Sequence, residues 1–265
     1  MTLFSPEILL MLSYNCYYAT PSRVYHFSKP IDYILQKKLQ KQPLCHFNWV
    51  EEEKRMSISP GYAEVVSLQQ TNAGSWMKYL MYKSPATYRH CVRVALLAEI
   101  IAPYLNLSEQ DNASFIRGCF LHDVGKVRVP NDILHKKEHL SEWEWNILRK
   151  HPVYGEDILK NHSFFDANIL DLVRHHHERY DGEGYPAGMY GKSIPLFARA
   201  CSVIDAFDSM LSVRPYRKPF TKEQAYQELS RNRNTQFDGK LVDMLISIST
   251  EEMSLYFSYI YSKEK

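Results

Sequence analysis

From about position 84 onward, apolar residues recur at helical spacing. The stretch 88–105 places Val92, Ala95, Leu96, Ile100 and Ile101 at the i, i+3, i+4 intervals of a core-facing helix. Ser141-Glu142-Trp143-Glu144 has the Ser-x-x-Glu form of a capping box and predicts a helix running to about residue 150. Similar patterns predict helices near 112–122, 152–160, 166–178, 197–213, 221–231 and 241–257. Between 179 and 195 the periodicity lapses into a loop with four glycines (Gly182, Gly184, Gly188, Gly191) and two prolines. So long a loop inside a compact domain tends to be functional.

Residues 1–80 read differently. Segments 45–50 and 56–59 alternate as short strands, Ser59-Pro60-Gly61 is a turn signal, and 30–42 suits a helix. The expectation is a small α+β region over 1–80, a cap or sensor without recognisable chemistry, followed by an all-α domain over 81–265.

Composition narrows the partners. An apolar share of 45% and a charged share of 23% are ordinary for a globular protein. A net charge of +2 is too small to draw the chain to a nucleic-acid polymer or a membrane surface, so neither is expected as a partner. The five cysteines (Cys16, Cys45, Cys91, Cys119, Cys201) form no C-x-x-C pair, which argues against a zinc ribbon or a disulfide scaffold. Cys91, Cys119 and Cys201 lie among apolar residues and read as buried thiols in a reducing compartment. No Lys or Arg precedes the short apolar stretch 8–12, and no apolar run approaches the roughly 18–20 residues of a membrane span. A cytoplasmic location is expected.

The candidate chemistry is concentrated. Nine of the eleven histidines fall between His90 and His177. His122 and Asp123 are adjacent, so on a helix they diverge by about 100° and can serve different positions around a metal cluster. Lys126, three residues after Asp123, shares its face and could reach a bound anion. The run His175-His176-His177-Glu178 closes a predicted helix, and by itself suits either a solvated helix end or a metal-gripping terminus.

Taken in order, these segments resemble the HD-GYP subgroup of the HD-domain phosphohydrolases. The resemblance runs through His122-Asp123-Val124-Gly125-Lys126, His151-Pro152-Val153-Tyr154-Gly155 and 176–186. It continues through 191–199, Val203-Ile204-Asp205-Ala206-Phe207-Asp208 and Arg214-Pro215-Tyr216-Arg217, covering roughly 85–245. It implies a helical metal-dependent phosphodiesterase acting on a cyclic dinucleotide. Cyclic di-GMP, opened to linear pGpG or cleaved on to GMP, is the first expectation. Cyclic GMP-AMP as substrate, a catalytically silent dinucleotide-binding or interaction protein, and a mononucleotidase are the alternatives.

The resemblance also assigns residues. His90, His122, Asp123 and Asp205 would hold one divalent cation, and Asp123 would bridge to a second held by His151, His176 and His177. Two such ions about 3.5–4 Å apart lower the pKa of a shared water and supply a bridging hydroxide. Asp123 and Lys126 are the catalytic candidates, with Lys126 also contacting phosphate. Gly184, Tyr185 and Pro186 would shape the substrate opening, with Tyr185 either stacking on a base or plugging the loop. Arg214 and Arg217 would grip the second phosphate, since guanidinium groups bind phosphate through forked, charge-assisted bonds. Some members of the subgroup hold a third metal with a glutamate one turn before the first histidine. Ala86 stands in that place here, so two ions are expected, iron or manganese by resemblance. His175 is an extra histidine expected to point away from the ions or to support their ligands.

Overall fold

The computed structural model describes residues 72–162, 165–212 and 218–261. The expected strands at 45–50 and 56–59 and the helix at 30–42 lie outside the described residues, as do Cys16, Cys45, Arg214 and Arg217. Eleven α-helices are described: α1 (Asn72–Lys83), α2 (Pro85–Ile101), α3 (Glu109–Leu121), α4 (Asn131–Leu134), α5 (Glu142–Leu148) and α6 (His151–Leu159), followed by α7 (Ala167–His175), α8 (Leu196–Leu211), α9 (Lys222–Arg231), α10 (Gly239–Ser247) and α11 (Ser254–Tyr261). Short 3-10 turns cover Ala102–Leu105, Val124–Arg128 and Gly191–Ser193. Among the described residues extended pairing is limited to two isolated bridges, Asp181 with Tyr190 and Arg233 with Phe237. No described helix is long and apolar enough to cross a membrane.

Helix starts follow local capping chemistry. Ser108 accepts from the Asp111 amide to open α3, and Asp166 accepts from Ile169 to open α7. At α5 the capping box is complete: Ser141 Oγ accepts from the Glu144 amide at 3.3 Å, and the Ser141 amide donates to Glu144 at 2.7 Å. Thr221 and Gln224 repeat the device at α9. Each such cap satisfies backbone donors that the first turn leaves without partners, a gain of about 1 kcal/mol.

One expectation needs correction. The helix expected over 241–257 is two helices, α10 and α11, separated at 248–253. Ser249 and Glu252 exchange bonds there, with the Ser249 amide donating to Glu252 and Glu252 N donating to Ser249 Oγ. A second Ser-x-x-Glu box thus separates the two helices. Helix α1 had no counterpart in the sequence reading. Within it Leu80 is fully buried.

The core lies where α2, α3, α7 and α8 pack against one another, with Leu97, Phe115, Leu172, Ile204 and Phe207 buried. Cys91, Cys119 and Cys201 are buried free thiols, as their apolar surroundings suggested. This packing gathers the ends of α3 and α7, the start of α6 and the inner faces of α2 and α8.

Candidate metal centre

Three of the site histidines are set by one local arrangement. His122 follows the last residue of α3, His151 opens α6 and His176 follows α7. Each donates Nδ1–H to the carbonyl three residues earlier: His122 to Cys119 at 2.7 Å, His151 to Leu148 at 2.8 Å and His176 to Val173 at 2.8 Å. A carbonyl can only accept, so Nδ1 carries a proton in each, and in the neutral imidazole Nε2 is then the nitrogen with the lone pair. Those lone pairs converge. His151 Nε2 faces His176 Nε2 at 3.3 Å and lies 3.2 Å from Asp123 Oδ1.

His90, on α2, completes the group from the other side. Its Nδ1 bonds Asp208 Oδ2 at 2.7 Å and its Nε2 lies 2.9 Å from Asp205 Oδ1, both carboxylates belonging to α8. Two sets of ligand atoms result, each gathered within 4.8 Å: Asp123, His151, His176 and His177, and His90, His122 and Asp123. Asp123 belongs to both. Asp205 adjoins the second set through His90. His175 belongs to neither, with its Nδ1 lying 3.5 Å from Glu178.

Close backbone packing makes this convergence possible. A Cβ on Gly125 would lie 1.9 Å from the His151 carbonyl oxygen, so the turn after Asp123 rests directly on the start of α6. Lys83 supports the same turn, donating Nζ to the carbonyls of Val127, at 2.8 Å, and Val129. Lys126, within that turn, pairs with Asp123 Oδ2 at 2.6 Å.

Apart from His90, which must give up a proton to bind a metal, the charge states suit a cation. Burial, helped by neighbouring imidazoles, holds His176 well below the usual histidine range and His177 at about 3, while burial also lowers His122. Burial works against ionising Asp123, but Lys126, His122 and His151 outweigh it and hold its carboxyl well below the usual range. Burial likewise opposes charge on His90, yet Asp205 and Asp208 together lift it to about 9.

Divalent ions fit these residues on the structure's own terms. Two lone pairs facing each other at 3.3 Å cannot share a hydrogen bond. Neither His122 Nε2 nor Asp123 Oδ1, both buried, has a hydrogen-bond partner. Buried polar atoms left in this way are costly. Imidazole nitrogen and carboxylate oxygen are the donors that borderline divalent metals take.

The loop after α7 forms one wall. Glu178, buried, accepts from the amides of Ala187 at 2.7 Å and Met189 at 3.0 Å, closing the loop on itself. Gly184 passes so close that a Cβ would lie 2.2 Å from the Arg179 nitrogen. The Tyr185–Pro186 peptide is cis. Tyr185 stacks on His177, ring centroids 4.9 Å apart, and the Arg149 guanidinium lies over the Tyr185 ring at 5.6 Å.

Sequence reasoning assigned no role to Asp208, Arg93, Glu178 or Tyr256. Asp208 and Glu178 stood inside quoted motifs, and Asp208 follows Asp205 by three residues, on the same helical face. That spacing was the available signal for Asp208. Arg93 and Tyr256 had none.

Comparison with known proteins agrees with this arrangement. The HD domain family matches residues 75–241. The cyclic di-GMP phosphodiesterase response regulator RpfG of Xanthomonas campestris pv. campestris is 34% identical over 210 residues, covering 78% of this chain and 51% of that protein. A 3'3'-cGAMP-specific phosphodiesterase 2 of Vibrio cholerae is 37% identical over 165 residues, covering 62% of this chain and 32% of that protein. The chain thus spans about half or less of the length of these relatives. A Vibrio cholerae cyclic GMP-AMP phosphodiesterase structure has a similar fold, with TM-score 0.53 at 19% identity, covering 72% of this chain and 50% of that one. The helical fold, the converging histidines and aspartates and the match across most of the described helices give one result: the chain belongs to the HD domain family.

Proposed function

We propose that the helical part of the chain is a metal-dependent phosphodiesterase that opens cyclic di-GMP to linear pGpG or carries it on to GMP. The observation that carries this reading is the pair of ligand sets sharing Asp123, with Nε2 lone pairs aimed inward. His90, His122, Asp123 and Asp205 would hold one ion, and Asp123, His151, His176 and His177 the other; iron or manganese suits both. Ions held there supply a nucleophile at neutral pH and neutralise charge on the phosphoryl oxygens.

The chain's own residues do the rest. The i−3 carbonyls lock three imidazoles in the tautomer that leaves Nε2 free. Asp123 stays ionised while buried, and its neighbour Lys126 has an ammonium group within reach of a phosphate oxygen. Tyr185, Gly184 and Pro186 close one side against bulk water. Arg214 and Arg217 are assigned to the second phosphate by the resemblance, and guanidinium chemistry suits that role. The buried free thiols suit a reducing, cytoplasmic setting.

A second reading keeps the chemistry and exchanges one guanine for adenine. It is favoured by relatives named as 3'3'-cGAMP-specific phosphodiesterases. The test is to load purified protein with manganese or ferrous iron and follow cyclic di-GMP and cyclic GMP-AMP by chromatography. The preferred substrate decides between the two readings. A metal-loaded protein that cleaves neither refutes both, and a protein that takes up no metal supports a silent binding role.

A further inference from the structure

Asp208 belongs to neither ligand set, yet it is fully buried and is the acceptor for groups from two other helices and from the residue just past its own. From α2, Arg93 Nε reaches Oδ1 at 2.7 Å, while Arg93 Nη2 and His90 Nδ1 reach Oδ2 at 2.8 and 2.7 Å. Ser212 Oγ, just past α8, lies 3.3 Å from Oδ2. From α11, Tyr256 donates its hydroxyl to Oδ1 at 2.9 Å. Tyr256 is itself fully buried, packed near Phe207 with ring centroids 6.1 Å apart. Helix α11 begins at Ser254, beyond the residues 75–241 that match the HD domain family.

We propose that Tyr256 is a positioning residue of the metal centre and that α11 is a working part of it. This rests on His90 being a metal ligand. Asp208 holds the His90 proton on Nδ1, which leaves Nε2 as the nitrogen turned toward Asp205 and the site. The Nδ1–H to Oδ2 bond, 2.7 Å, ties the setting of that imidazole to the Asp208 carboxylate. Arg93 bonds both carboxylate oxygens, and Tyr256 anchors Oδ1 from the opposite end of the chain. Without the hydroxyl, a lone pair of a buried, charged carboxylate loses its partner, and the carboxylate can turn toward its remaining donors. His90 would turn with it. Partners that orient a ligating histidine in this way typically change metal affinity by about 10–100-fold.

The test uses the full chain and manganese alone. Free Mn²⁺ is followed by electron paramagnetic resonance through a two-site titration of wild type, His90→Ala, Tyr256→Phe and Asp208→Asn. His90→Ala identifies which affinity belongs to its site. Tyr256→Phe, which removes only an oxygen, is expected to weaken that site about tenfold or more and leave the other within about twofold. Asp208→Asn is expected to weaken the same site further, and it decides the matter should Tyr256→Phe not be recovered folded. Unchanged affinity at the His90 site in Tyr256→Phe, equal weakening of both sites, or an Asp208→Asn protein that binds like wild type overturns the proposal. Wild type that binds no manganese, or a His90→Ala protein that loses neither site, removes the metal reading itself and this proposal with it.

Discussion

The phenol ring of Tyr185 lies stacked on the imidazole of His177, centroids 4.9 Å apart and planes inclined by 25°. A loop side chain is thereby tied to a candidate ligand. Aromatic pairs of this kind contribute about 0.5–1.5 kcal/mol beyond the area they bury. Tyr185→Phe keeps the ring and is expected to retain kcat/KM within about twofold. Tyr185→Ala removes the stack and is expected to lower kcat/KM for the preferred cyclic dinucleotide by up to about tenfold. Steady-state kinetics on both variants check this; an inactive Tyr185→Phe would mean that the hydroxyl, not the stack, matters.

With both rings neutral and Nδ1 protonated, His151 and His176 Nε2, 3.3 Å apart, cannot hydrogen-bond each other, an arrangement that a bound cation would relieve. Ligand binding to the folded state at about 100 times its Kd adds about 2.7 kcal/mol per site. For a domain of this size that corresponds to a rise in Tm of roughly 5–10 °C. Thermal melts with and without Mn²⁺, after chelation, measure it. Asp123→Ala, which removes the carboxylate common to both sets, is expected to abolish the rise. A rise of the same size in that variant would show the ions binding elsewhere.

Gly125 leaves no room for a side chain, since its Cβ would fall 1.9 Å from the His151 carbonyl oxygen and 2.5 Å from the Gly155 nitrogen. Both neighbours are backbone, so relief requires the turn and α6 to separate. Gly125→Ala is expected to cost more than about 3 kcal/mol, the upper end of ordinary overpacking, with a Tm drop of roughly 6 °C or more. Metal binding should fail along with stability, because His151 moves with α6. Differential scanning calorimetry combined with metal analysis tests both parts, and a variant with wild-type stability would contradict the packing described.

Glu178 holds the 179–195 loop through two backbone amides and is buried while doing so. Glu178→Gln keeps the shape but sets an amide NH₂ against one of those N–H groups. The expected cost is about 1–3 kcal/mol, the range for leaving a buried donor without its acceptor. Limited proteolysis should then cut within the loop sooner than in wild type, with Tm lowered by a few degrees. Unaltered cleavage kinetics would show that the loop is held by its anchors to Gln236 and Thr235 instead, which accept from the Tyr180 and Asp181 amides at 3.1 and 2.8 Å.

Much of the helical framework could be read along the chain because its signals are local. The Ser141 and Thr221 caps, the apolar spacing of α2 and α8 and the glycines of the loop each act over four to eight residues. The pairing of His122 with Asp123 and the cluster at 175–177 were visible for the same reason. The break between α10 and α11 was also local, and the Ser249 to Glu252 box went unread because apolar residues continue on both sides of it.

Tautomers and partners could not be read this way. That His122, His151 and His176 all turn Nδ1 to a carbonyl depends on a helix ending or starting at those residues, which side-chain identity does not announce. Asp208 meets His90 across 118 positions and Tyr256 across 48. A tyrosine in an apolar helix looks like any packing residue until another helix brings a buried carboxylate to its hydroxyl. Helices arise from short-range backbone bonding and apolar periodicity, so residue order alone specifies them. A metal-ready cluster arises from lone pairs brought within a few ångströms against their mutual repulsion. Only the burial of a whole core supplies the free energy to hold them there.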